Sequence, residues 1–104
     1  MKILAFKMYL NEGQKQEYKK RHDEIWPELE SLLKEAGISD YSIFLDEETN
    51  ILFAVQKVSD AGSTKSLTDE AIMKKWWDYM ADIMAINPDN SPVVKELEQV
   101  FYME

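Results

Sequence analysis

The sequence predicts an α+β fold, in which a four-stranded antiparallel sheet is covered on one face by helices in the order strand, helix, strand, strand, helix, strand. Three observations carry this. The N-terminal stretch alternates large apolar residues, two longer stretches place apolar residues at helical spacing, and a pair of apolar runs is separated by a short polar turn. At 104 residues the chain reads as a single domain, 1–104, with one core.

The elements follow in order. Lys2 to Leu10 sets Leu4, Phe6, Met8 and Leu10 on one face and Ile3, Ala5 and Tyr9 on the other, a strand apolar on both sides. Asn11-Glu12-Gly13 breaks it, and a helix runs from there to about Ala36, stopping at Gly37, which suits the left-handed position after a helix. Its inward stripe is Tyr18, His22, Ile25, Leu29, Leu32 or Leu33, and Ala36, while Lys20, Asp23, Glu24, Glu28, Ser31, Lys34 and Glu35 face water. Pro27 has no N–H and its ring crowds the carbonyl one turn back, so a kink or break is expected there, beside His22.

Tyr41 to Leu45 is the second strand, Asp46 to Asn50 a turn, and Ile51 to Val58 a third strand returning antiparallel. After a small-residue connection, Thr68 can cap a second helix with Asp69 and Glu70 in its first turn. That helix carries two apolar rows, Ile72, Trp76, Tyr79, Ile83 and Met73, Trp77, Met80, Met84. Asn87 to Pro92 is dense in turn formers, and Leu97 to Met103 reads as the last strand. This is the ferredoxin-like order, βαββαβ. Helices cover only one face of such a sheet, so the apolar residues on the other predict a homodimer with two sheets packed face to face.

Charge and composition exclude much. A net charge of -8 argues against nucleic acid and anionic membranes, whose affinity comes from lysine and arginine, and favours a small neutral ligand. No apolar run approaches a membrane span, and the N-terminus is too short and alternating for a signal peptide, so a cytoplasmic location is expected. With no cysteine, disulfides, thiolate catalysis and cysteine-held metals are out, and the single histidine would leave any metal to carboxylates. Phosphate loops, nucleophile elbows, paired-histidine metal motifs and RNA-binding aromatic signatures are absent.

His22 is the strongest candidate for chemistry, because an imidazole gives and takes protons near neutral pH. It reads equally as a core histidine bonded to a backbone carbonyl. Tyr18, one turn earlier, can hydrogen-bond into the same space or simply pack. Trp76 and Trp77 diverge by about 100° on a helix, so they widen the buried face; a flat ring with one N–H suits the C–H face of a sugar, though plain core filling also explains them. Tyr41, at the start of its strand, can complete a pocket with Tyr18 and His22.

Tyr18, Arg21-His22, Ile25-Trp26-Pro27-Glu28-Leu29-Glu30, Tyr41, Leu52-Phe53-Ala54, Trp76-Trp77 with Tyr79-Met80, Asn87 to Pro92, and Val100-Phe101-Tyr102 together closely resemble the L-rhamnose mutarotases. The resemblance spans nearly the whole chain; only about Ser59 to Glu70 offers no motif. It implies a dimeric ferredoxin-like fold closing as a dimeric α/β barrel, and interconversion of the α and β anomers of L-rhamnose without metal or organic cofactor. Position by position, it makes His22 the proton donor and Tyr18, Tyr41, Trp76 and Trp77 the substrate contacts. Anomer exchange needs an acid at the ring oxygen, expected to be His22, and an opposing base that the sequence does not name, with Tyr18 and an unidentified carboxylate as candidates. Two other readings are a small dimeric oxygenase or haem-handling protein, since that fold hosts those too, and a non-catalytic sugar-binding module.

Overall fold

The computed structural model describes residues 2–59, 67 and 69–104. Strand β1 (Lys2–Tyr9) leads to helices α1 (Lys15–Asp23) and α2 (Pro27–Glu35), then to β2 (Ile38–Asp46), β3 (Ile51–Val58), α3 (Ala71–Met80) and a short β4 (Lys95–Glu96). The sheet is four-stranded and antiparallel, in the order β2-β3-β1-β4, as the ferredoxin-like reading expects. All three helices sit on the face that carries Met8, Leu10, Leu52 and Ala54, where Tyr18, Leu29, Trp76 and Met80 close one core.

The break foreseen at Pro27 is complete. Pro27 is the first residue of α2, where its missing N–H costs nothing, and Trp26 before it is extended at φ -62, ψ 131. Gly37 takes φ 88 just beyond α2, the left-handed conformation that lets the chain turn directly into β2.

Three expectations need correcting. Helix α3 ends at Met80, short of Ile83 and Met84, because the chain beyond it is captured by the end of β1: Asn11 donates to the Ile83 carbonyl, Ala85 to that of Tyr9, and Leu10 bridges Met84. Ile83 and Met84 are still buried, but from a turn and from the bridge to Leu10 respectively. Asp69 and Glu70 precede α3, so its first turn has no acidic residue; the cap foreseen at Thr68 lies outside the described residues. The last strand is Lys95–Glu96 in place of Leu97–Met103, paired to Phe6 and Lys7 and prolonged by one bond from Leu97 to the Ala5 carbonyl. Past that bond β1 has little edge left to pair, and Val100, Phe101, Tyr102 and Met103 stand exposed.

Candidate active site

A cleft of ≈ 1090 Å³ runs between the helices and the sheet, and Tyr18, His22, Tyr41, Trp76 and Trp77 all line it. Each arrives by a different local device. Tyr18 is the buried residue of an otherwise polar helix, and His22 follows one turn later on the same face. The two rings stack with centroids 4.2 Å apart. Trp76 comes from the buried face of α3 and presents itself edge-on to His22 at 5.4 Å, while Trp77, its half-buried neighbour, lines the cleft further round.

Tyr41 depends on a β-bulge. Ile38 pairs with Val58 and Ile43 with Ala54, so one strand advances five residues while the other advances four, and the shift falls between Ser39 and Ser42. Asp40 absorbs it with φ 46, a conformation that an aspartate tolerates better than most residues. The extra residue puts both Ile38 and Tyr41 on the helix side, where Tyr41 meets Phe6 edge-on at 6.5 Å.

Electrostatics set the protonation states. His22 Nδ1 lies 3.0 Å from the carbonyl oxygen of Tyr18; a carbonyl only accepts, so Nδ1–H donates. Nε2 makes no hydrogen bond among the described residues, and no side-chain nitrogen or oxygen there is both buried and unpartnered, which leaves Nε2 open to the cleft. Burial lowers the His22 pKa from its ordinary value, outweighing the Tyr18 carbonyl and the Asp23 charge, so the ring is neutral at pH 7. Burial also raises the pKa of Tyr18, with help from the neighbouring Tyr41, and pushes the Tyr41 phenol up to about 12. Although 39% of Tyr41 is exposed, the residue lines the cleft and its phenol end is the part withdrawn from water. Both phenols therefore stay protonated. Of the carboxylates along the cleft, Asp23, Glu30 and Asp40 are each engaged by a lysine, Lys19, Lys34 and Lys57 respectively, while Glu96 of β4 makes no ion pair among the described residues.

Sequence reasoning gave no role to several residues placed here. Trp26, at the break between α1 and α2, meets Trp76 edge-on at 5.1 Å and stacks on Tyr79 at 5.5 Å, an aromatic cluster that backs Trp76. Gln56 is the one buried polar residue of the described core and lines the cleft opposite the bulge. Its signal was available: at the inward positions of β3 it interrupts Leu52, Ala54 and Val58.

A family model described as L-rhamnose mutarotase matches residues 4–103. An L-rhamnose mutarotase from Formosa agariphila is 66% identical over 104 residues, covering 100% of both chains, and one from Bacteroides thetaiotaomicron is 59% identical with the same coverage. The crystal structure of L-rhamnose mutarotase from Formosa agariphila superposes with a TM-score of 0.93 at 64% identity, again over 100% of both chains.

Proposed function

The chain belongs to the L-rhamnose mutarotase family, and on that premise we propose that it is an isomerase that exchanges the α and β anomers of L-rhamnopyranose, with His22 as the proton carrier. The observation that supports this most is the fixed tautomer of His22, whose free Nε2 opens into a cleft lined by Tyr18, Tyr41, Trp76 and Trp77.

Exchange of anomers requires the bond between C1 and the ring oxygen to break and re-form. Neutral His22 takes the proton of the anomeric hydroxyl at Nε2 as the bond breaks, and a protonated phenol, Tyr41 or Tyr18, gives its proton to the departing ring oxygen. The departing oxygen becomes an alkoxide, which is more basic than a phenolate even at a pKa of about 12, so the phenol is acid enough. Rotation about C1–C2 precedes reclosure, in which imidazolium returns its proton to the anomeric oxygen and phenolate recovers the other. His22 is thus base on opening and donor on closing, the reverse of the sequence expectation that it protonates the ring oxygen first, because a neutral ring with its proton on Nδ1 has none on Nε2 to give. The raised pKa of Tyr18 counts against it as the opposing base, and the lysine-paired carboxylates are poorly suited too, which leaves Glu96 as the one cleft carboxylate without an ion pair among the described residues. Trp76 and Trp77 offer apolar surface to the C–H face and methyl group of the sugar. The test is saturation-transfer NMR between the two anomers. Acceleration by the wild type and its loss in folded His22→Ala is the expected result; a folded variant that exchanges as fast as the wild type removes His22 from the chemistry.

The pairing of two copies is part of the same reading. On the sheet face away from the helices, β3 carries Ile51, Phe53 and Val55, β1 carries Ile3, Ala5 and Tyr9, and Phe44 of β2 is 65% exposed. Apolar surface of that extent favours a partner, and a second copy offers the same face. Light scattering after size exclusion should give twice the chain mass; a monomer at micromolar concentration contradicts it.

A further inference from the structure

Helix α1, KQEYKKRHD, is a poor candidate for a rigid element. Tyr18 is its one buried residue, and the rest of its sequence is charged or polar. Yet this helix carries the proton carrier, and His22 has to keep its position against Trp76 on another element. Among the described residues, every hydrogen bond or ion pair from α1 to α3 or to the turn after it is made by a single side chain, Arg21.

Its guanidinium uses the whole fork. Nε donates to Glu17 Oε2 at 2.7 Å, one turn back on α1, which holds the side chain extended. Nη1 donates to the backbone carbonyl of Tyr79 at 2.7 Å and to Asp82 Oδ1 at 2.9 Å, and Nη2 reaches Asp82 Oδ2 at 3.4 Å. The carbon of the guanidinium lies 4.5 Å from the centre of the Tyr79 ring. Only 10% of the side chain is exposed.

The site it binds is the end of a helix. Tyr79 is the penultimate residue of α3, so its carbonyl is among those left without an intrahelical partner, and the last turn of α3 holds no basic residue of its own. Arg21 supplies from α1 the cation and donors that this end lacks. Tyr79 stacks on Trp26, Trp26 meets Trp76, and Trp76 meets His22, so the clamp and the aromatic contacts form a closed circuit that leads from Arg21 back to its neighbour His22.

We propose that Arg21 is a positioning residue for the exchange reaction: by bolting α1 to the C-terminal end of α3 through Tyr79 and Asp82, it fixes the approach of His22 to the sugar held against Trp76. The proposal rests on His22 as the proton carrier. Lysine replaces arginine here only in part, because one ammonium keeps the charge but does not span a carbonyl and both carboxylate oxygens while lying over a ring.

Arg21→Gln, Arg21→Lys and Asp82→Asn test it, with His22→Ala as reference. In Arg21→Gln, kcat is expected to fall at least ~10-fold while KM changes less than about 3-fold, since a displacement on the order of 1 Å suffices for such losses and the tryptophan surface stays in place. Arg21→Lys should recover part of kcat. Asp82→Asn should lower it less, and add little on top of Arg21→Gln. His22 is the chain's one histidine, so its imidazole Hε1 resonance reports directly; in Arg21→Gln its titration midpoint should move up towards the ordinary value as α1 loosens and water reaches the ring. A folded Arg21→Gln with wild-type kcat and an unmoved His22 midpoint overturns the proposal. So does an equal loss of activity in all variants with the midpoint unmoved, which is a structural role alone. If Arg21→Gln fails to fold, Arg21→Lys and Asp82→Asn are read by the same two measures. Should His22→Ala keep full activity, the functional reading fails, while the His22 midpoint still decides whether Arg21 sets the position of the ring.

Discussion

Helices α1 and α3 contribute to the same cleft and are held in opposite ways. Helix α3 buries Trp76 and Met80 and packs Ile72, Met73 and Trp77 against the core, so it is fixed by apolar area that no single bond controls. Helix α1 buries Tyr18 and is otherwise tied by directed contacts: Arg21 to the end of α3, Lys15 to Glu47 on the turn between β2 and β3, and the edge-on contact of His22 with Trp76. The surface that would receive the sugar thus sits on the element set by burial, and the group that would move protons sits on the element set by geometry. Substitutions on α1 should change rate far more than stability, whereas on α3 the two should fall together.

The largest effect that separates the helices is His22→Ala. Loss of a positioned proton carrier should slow enzyme-dependent anomer exchange by about 10²- to 10⁴-fold, read by saturation-transfer NMR, with a melting midpoint close to wild type. A large fall in the melting midpoint would mean that α1 needs His22 to fold, and the contrast would collapse. Trp76→Ala is the matching change on α3. Trp76 is 8% exposed and touches His22, Trp26 and Tyr79, so its removal leaves a cavity and should cost about 3–5 kcal/mol in urea unfolding, along with activity. An unmoved unfolding midpoint would show that burial of Trp76 is not what holds α3.

The contrast also explains what was legible in the sequence. Apolar spacing reports burial, so the strand order, the hairpin, the break at Pro27 and the inward rows of α3 could all be read from it. It placed His22 and Tyr18 inward because the stripe through Leu29 continues on α2. Directed bonds leave no such trace: Arg21 sits next to His22 in a basic run and looks like any solvated charge. The bulge at Asp40 was equally hidden, since alternation through Tyr41, Ile43 and Leu45 is unbroken and the extra residue shows only when Ile38 must face the same side. The early end of α3 comes from pairing with β1, a contact between residues about seventy positions apart that no local pattern encodes. The exposed end from Val100 to Met103 reads as a strand because its residues are strand formers, but past the Leu97–Ala5 bond only the first few residues of β1 remain for it to pair with.

A smaller effect should come from Tyr41→Phe, which keeps the ring against Phe6 and removes the hydroxyl. If the Tyr41 phenol serves the ring oxygen, exchange should slow by roughly 10-fold or more, with stability changed by no more than about 1 kcal/mol. An unchanged rate would hand that role to Tyr18, on α1, and would put both proton carriers on the helix held by directed bonds.

The smallest expected change is in the pH profile across the neutral range. Burial holds the His22 pKa below its ordinary value of 6.5, against the opposing pull of Asp23 and the Tyr18 carbonyl; Arg21 is occupied by Glu17 and Asp82, and the Tyr18 and Tyr41 phenols are uncharged. Neutral imidazole is the active base, so kcat/KM should be level from about pH 8 down to about 6.5 and fall only below that, as the ring takes up a proton. The stability linkage has the same sign. The unfolded chain protonates His22 first as pH falls, so the stabilisation associated with the neutral ring is complete above the ordinary value and is lost as pH falls through the lowered one. An acid limb in kcat/KM centred above pH 6.5 would require a charge-stabilised imidazolium. That would reverse the order of proton transfers, with His22 acting first as acid at the ring oxygen and a group other than a buried phenol taking the anomeric proton.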